Sequence, residues 1–208
     1  MVLGANGLVL FLAAALLLAI TPGPGIFYVT ARTLAGGRSE GLASSFGTAI
    51  GGLAHVVAGA VGISALIMTS AEAFAILKTL GAVYLVWLGW KTIRQARGGF
   101  SIHVASTGAH RAFLDGVVVE AMNPKTAAVF LAFIPQFVDP SRSVAMQFVL
   151  LGLICVVLNT AADVVVVYGV AKARSRFTHP DLIRRVRQTS GIAMCGLGAS
   201  LLLARRSI

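Results

Sequence analysis

Uncharged stretches of membrane-crossing length alternate along this chain with short basic clusters. Residues 1–31 carry no charged side chain, and residues 41–71 carry none apart from the imidazole of His55. Residues 74–90 contain only Lys78, 112–138 contain Asp115, Glu120 and Lys125, 143–171 contain only Asp163, and 188–204 contain none. Crossing about 30 Å of hydrocarbon takes roughly 20 mostly apolar helical residues, because only a helix satisfies its own backbone there. The pattern therefore predicts an all-α integral membrane protein with six transmembrane helices. The sixth run is short for a span, and if it failed to cross, the C-terminus would change sides. The first run lacks a basic n-region and continues past Pro22 and Pro24, so it reads as mature structure rather than a cleaved leader.

Composition narrows the class further. The chain is 57% hydrophobic and only 12% charged, with a mean hydropathy of +0.88. Soluble domains carry about 25% charged residues, so a soluble enzyme and a disordered chain are both excluded. A net charge of +10 would point to nucleic acid in a soluble protein. Here the basic residues punctuate apolar runs and have no aromatic stacking platform, so no nucleic-acid partner is expected. Cys155 and Cys195 sit inside apolar runs without metal-ligand spacing and read as packing thiols, and no metal or other cofactor is expected.

The basic clusters set the orientation. With six spans, the loops after helices one, three and five share a face that holds twelve Lys or Arg, from Arg32 and Arg38 through Arg94 and Arg111 to Arg187, against four on the other. Positive charge is retained on the cytoplasmic side. Both termini are accordingly expected outside the cytoplasm. Trp87, Trp90 and Lys91 end helix three as an interfacial anchor.

Residues 92–111 form a cytoplasmic linker that divides a first repeat, 1–91, from a second, 112–208. Three helices per half force the second half to insert inverted. Each half opens with a helix interrupted at proline. The first break is Thr21-Pro22-Gly23-Pro24 and the second Asn123-Pro124-Lys125, with Pro22 and Pro124 102 residues apart. Proline removes an amide donor and clashes with the preceding turn. Broken helices at matching places of inverted halves are the sequence signature of a transporter's substrate site, where half-helix ends offer N–H groups to an anion and carbonyls to a cation. Against this stands the plain reading that the prolines only kink structural helices.

Ionisable groups inside a membrane cost about 2.5–3.5 kcal/mol on insertion scales and tend to be buried, paired and functional. At about 1.5 Å rise per residue, Glu120 and Asp163 reach nearly one depth, roughly 12 and 13 Å from the basic face, with Lys125 at roughly 20 Å. Asp163, with Glu120, is the candidate for the proton-coupling group. Lys125 is either its counter-charge or a ligand for a substrate carboxylate. The alternative is a static ion pair between helices four and five. His55 is either a hydrogen-bonded helix contact or a cavity residue, and Tyr84 either lines a cavity or packs. The spacing of Gly47 and Gly51 allows close helix approach, within the chain or in a homodimer. No HExxH, GxSxG, Walker lysine loop or GxGxxG motif is present, so no enzyme is expected and energy would have to come from a gradient.

These residues carry a resemblance. Thr21-Pro22-Gly23-Pro24, the run from Leu77 through Lys78 and Tyr84 to Gly89, Phe113-Leu114-Asp115-Gly116, Asn123-Pro124-Lys125, and Phe133-Ile134-Pro135-Gln136-Phe137 resemble the lysine exporter (LysE)/RhtB family of amino acid exporters, in order and over nearly the whole chain. The resemblance implies a bacterial inner-membrane exporter of an amino acid or close derivative, driven by the proton motive force. It puts weight on Pro22, Gly23, Pro24, Asn123, Pro124, Lys125 and Asp163, and Lys78 and His55 resemble recurrent family residues. Members often carry Asn a few residues before Asn-Pro-Lys. Glu120 stands in that region here, which either favours a cationic substrate or pairs with Lys125. A passive channel or a non-transporting scaffold is the competing function.

Overall fold

The computed structural model describes residues 5–69, 71–95, 105–172 and 180–203. The termini, residues 96–104 of the expected cytoplasmic linker, the basic positions Arg174 and Arg176, and the Lys78 side chain lie outside the described residues. The described chain is helical throughout. α1 (Ala5–Ile20) and α2 (Pro24–Thr69) are followed by α3 (Ala71–Gln95), α4 (Ala109–Ala121), α5 (Pro124–Ala128), α6 (Val144–Lys172) and α7 (Pro180–Leu203). A π turn over Val129–Phe133 and a 3-10 turn over Ile134–Phe137 prolong α5. Pro135 supplies no N–H to the turn before it, and the wider π turn absorbs that missing bond.

Among the described residues three helices are long and apolar enough to cross a membrane, spanning Pro24–Gly62, Ala109–Phe137 and Val144–Lys172, with a shorter apolar helix over Gly7–Ile20. The helices also start earlier than the uncharged runs suggest. α4 begins at Ala109 and α7 at Pro180, so charged residues form their first turns.

α2 departs most from the sequence expectation. The stretch around Arg32 and Arg38, expected as a loop, is helical except at Gly37, whose φ of 70° and ψ of −159° fold the helix back on itself. A straight helix of 46 residues would extend about 69 Å, more than twice the hydrocarbon core. Glycine makes the bend possible, because a Cβ is strained at that φ. Beside the bend, Arg32 and Glu40 are both buried, with Arg32 Nη1 3.3 Å from Glu40 Oε2. Glu40 Oε1 accepts the backbone N–H groups of Thr107 at 3.0 Å and Gly108 at 2.8 Å, and also the Ser106 hydroxyl. Arg32 donates to Thr107 Oγ1 and to the Ala105 carbonyl. A carboxylate from α2 thus caps the entry to α4, where a helix N-terminus favours negative charge.

Small residues let the backbones meet. A Cβ on Gly47 or Gly51 would strike the Phe113 or Val117 carbonyl of α4, and one on Gly116 would lie 2.8 Å from the Ser44 carbonyl. The Gly47/Gly51 spacing is therefore used within the chain. Gly89 and Gly191 form a second close seam, between α3 and α7. In lipid, where apolar burial drives little association, such close packing holds helices together. An aromatic cluster joins α1 to the turns after α5. The Phe11 ring stacks 5.4 Å from Phe133 and meets Phe137 edge-on at 5.2 Å. At the end of α3, Lys91 lies 4.8 Å over Trp87 and Arg94 4.8 Å over Trp90, in keeping with an interfacial anchor.

Two outcomes follow for the folded protein in detergent. Glu40→Ala strands a buried guanidinium and should cost about 3–5 kcal/mol in unfolding experiments, part of it recovered in Arg32→Met/Glu40→Leu, where no charge is left unpaired but the Thr107 and Gly108 amides still lose their acceptor. Gly51→Val should cost about 1–3 kcal/mol by forcing α2 from α4, whereas Gly62→Ala, with open space around its Cβ, should leave the melting temperature unchanged or raised.

Candidate functional site

The two proline breaks meet in the interior. α1 ends where Pro22, four residues beyond Leu18, has no N–H to offer the Leu18 carbonyl. The Thr21 amide turns back to Leu17 and Leu18, at 3.1 and 3.2 Å, and its hydroxyl donates to the Leu17 carbonyl at 2.6 Å. After Gly23 the chain restarts with Pro24 as the first residue of α2. The second break is built as a helix start. Asn123 is extended, at φ −75° and ψ 111°, and its side-chain oxygen accepts the Lys125 amide at 3.0 Å. Pro124 takes the first helical position, where a missing N–H costs nothing.

Lys125 connects the two breaks. Its buried ammonium donates to the Leu18 carbonyl at 2.7 Å and to the Thr21 carbonyl. The Leu18 carbonyl, which lacks the amide that residue 22 would otherwise supply, takes a charged donor from a lysine 107 residues away in sequence, beside the Thr21 amide. A cation at a helix C-terminus is also favoured by the aligned peptide dipoles. The contact needs glycine opposite, since a Cβ on Gly23 would stand 2.7 Å from Lys125 Cδ and one on Gly25 2.5 Å from Glu120 Oε2.

Glu120 sits on the other side of the second break. Its carboxylate accepts Asn123 Nδ2 at 2.8 Å and the Thr126 hydroxyl at 2.5 Å. Its backbone carbonyl accepts His55 Nε2 at 2.9 Å, which fixes that nitrogen as the protonated one. The expected pairing of Glu120 with Lys125 is not a hydrogen bond here. Glu120 instead ties the end of α4 to the start of α5. Asp163, on α6, is buried and its Oδ2 lies 3.0 Å from the Thr48 hydroxyl of α2.

Beside a smaller pocket in which they meet Gly23 and Gly25, Glu120, Lys125, Thr126, Asn159 and Asp163 line a cavity together with Leu18, Thr48 and Phe130. The space within it open to water centres is about 30 Å³, room for a few waters. Thr21, Pro22 and Pro24 lie at the rim of the first break. His55 stands behind Glu120, its ring 5.7 Å from Phe130. Tyr84 is outside the cavity, 36% exposed on α3 with its ring 5.4 Å from Trp87. The expected group of breaks, carboxylates and lysine is thus brought together, without Tyr84.

Sequence reasoning missed Thr48, Thr126 and Asn159, the uncharged polar wall of the cavity. Their signal was present in the spacing. Thr48, Gly52 and His55 fall at helical intervals on one face of α2, and Asn159 lies one turn before Asp163 on α6. Glu40 was missed too, since a charge beside a basic loop gives no sign of being buried.

The LysE type translocator family matches residues 16–205. An uncharacterized membrane protein of Vibrio cholerae is 32% identical over 94% of this chain and 96% of its own length. The homoserine/homoserine lactone efflux protein of Salmonella typhimurium is 31% identical over 95% of this chain and 96% of its own. The leucine efflux protein of Klebsiella pneumoniae is 26% identical, with 92% of each chain covered. No solved structure matches the chain. Apolar helices, charges enclosed between them and this match over nearly the full length lead to one assignment: the chain belongs to the LysE type translocator family, as a multi-pass membrane transporter and not an enzyme.

Proposed function

We propose that this transporter exports an amino acid or a small amino acid derivative from the cytoplasm across the bacterial inner membrane, by proton antiport. The observation that carries the proposal is the joining of two broken helices around a cavity that holds two carboxylates and a lysine. Efflux of homoserine, homoserine lactone and leucine by relatives of matching length supports the substrate class. In this reading six spans form two inverted three-helix repeats, with the linker cytoplasmic and both termini outside, as the charge count favours.

The geometry offers an amino acid what it needs. The end of α1 presents carbonyls suited to an ammonium group, and the start of α5 presents N–H groups and a positive dipole end suited to a carboxylate. The cavity holds only a few waters in this arrangement, so substrate entry requires the half-helices to part. Lys125 holds them together at the first break and leaves its carbonyls when they part. Asp163, on the facing wall, takes up a proton from the extracytoplasmic side and releases it inside, so that each export step runs down the proton gradient.

Efflux from proteoliposomes preloaded with single amino acids tests this. A pH gradient should accelerate efflux of one class, and Asp163→Asn should abolish the acceleration while the protein still inserts. Gradient-independent efflux, or full coupling in the variant, would overturn the antiport reading. Lys125→Met should lower efflux at least tenfold and destabilise the protein by about 1–3 kcal/mol, because the Leu18 and Thr21 carbonyls lose a charged donor. Parallel melting and efflux measurements check both effects.

A further inference from the structure

The hydroxyl of Thr48 has more acceptors than protons. It stands 2.8 Å from the Ser45 carbonyl, within its own helix, and 3.0 Å from Asp163 Oδ2, across the cavity wall. A threonine hydroxyl carries one hydrogen and can also accept. Two arrangements fit the same heavy atoms. With Asp163 ionised, Thr48 donates to the carboxylate. With Asp163 protonated, the acid donates to Thr48 Oγ1 and Thr48 turns its own hydrogen to the Ser45 carbonyl. A nearby hydroxyl lacks this choice. Thr160, which lines the same cavity, donates to Val156 at 2.8 Å, the carbonyl four residues back in its own helix.

We propose that Thr48 is a positioning residue for proton coupling, a hydroxyl rotor that gives Asp163 a hydrogen bond in both its protonation states. The inference rests on Asp163 being the coupling group, as proposed above, and names how its proton is accommodated. When a proton arrives from water, the new O–H bond forms on Asp163 Oδ2. The Thr48 hydrogen stays on Thr48 and only turns. No helix has to move, so the carboxyl can load and unload without an unpaired buried oxygen in either state, which would cost far more than a rotation.

The other groups around Asp163 do not duplicate this service. Glu120, from α4, has its oxygens engaged by Asn123 and Thr126. Lys125, from α5, donates to Leu18 and Thr21. His55, on the same helix as Thr48, is held by the Glu120 carbonyl. Cys155 lies two turns away on α6, and α1 brings only Ala15, Leu18 and Ala19 to the cavity.

The test is the pH dependence of gradient-driven efflux in proteoliposomes for wild type, Thr48→Ser, Thr48→Val and Thr48→Ala. A hydrogen bond to an ionised acceptor is worth more than one from a neutral acid, so losing Thr48 favours the protonated form. Thr48→Val and Thr48→Ala should move the midpoint toward alkaline pH by about one unit. Thr48→Ser, which keeps the hydroxyl, should restore the wild-type profile. Infrared difference spectra follow the same group without transport, through the carboxyl C=O band that disappears in Asp163→Asn, and this band should titrate with the same shift. An unchanged midpoint in both Val and Ala variants, or a serine variant displaced as far as valine, would overturn the inference. If wild-type efflux ignores the gradient, the antiport reading fails instead, and the infrared titration still decides whether Thr48 governs the Asp163 proton.

Discussion

One contact underlies the site: the Lys125 ammonium on the carbonyls that end α1. An ion in a membrane interior must be compensated, and so must a carbonyl that a proline has left without its amide. Each of these costs answers the other. The proline motif of the first half creates the acceptor, and the lysine of the second half's Asn-Pro-Lys supplies the donor. Gly23 and Gly25 matter because they leave room for Lys125 and Glu120 to come in against the backbone.

From that contact the remaining polar groups fall into an order. Asn123 caps α5 and donates to Glu120, Glu120 also holds Thr126, and the Glu120 carbonyl anchors His55. The second break is thereby a closed network in which every carboxylate oxygen has a donor. Asp163 is treated differently. Its partner among the described residues is the hydroxyl of Thr48, so it links α6 to α2 rather than closing a break.

Away from the cavity the chain is held by two other devices. Glycine seams bring α2 onto α4 and α3 onto α7 at backbone contact, and the Arg32–Glu40 pair fastens the bend of α2 to the entry of α4. The ion pair is buried and directional, so it fixes the end of the bundle where the basic residues gather.

Much of this was legible in the chain. Charge-free runs of about 20 residues can only be helices in lipid, so the helical class and the long apolar helices over 112–138 and 143–171 followed from spacing, and proline at 22 and 124 dictated where two helices had to break. The spacing of Gly47 and Gly51 announced a close contact but not its partner. Tertiary structure decided what the charges do. Lys125 reaches the carbonyls that end α1, Glu120 binds its own break, and Glu40 caps a helix 68 residues away. Hydropathy reads each position against lipid and neighbours a few residues along. Which buried charge meets which backbone group depends on how non-adjacent helices lie side by side, and that is settled only when the chain has packed.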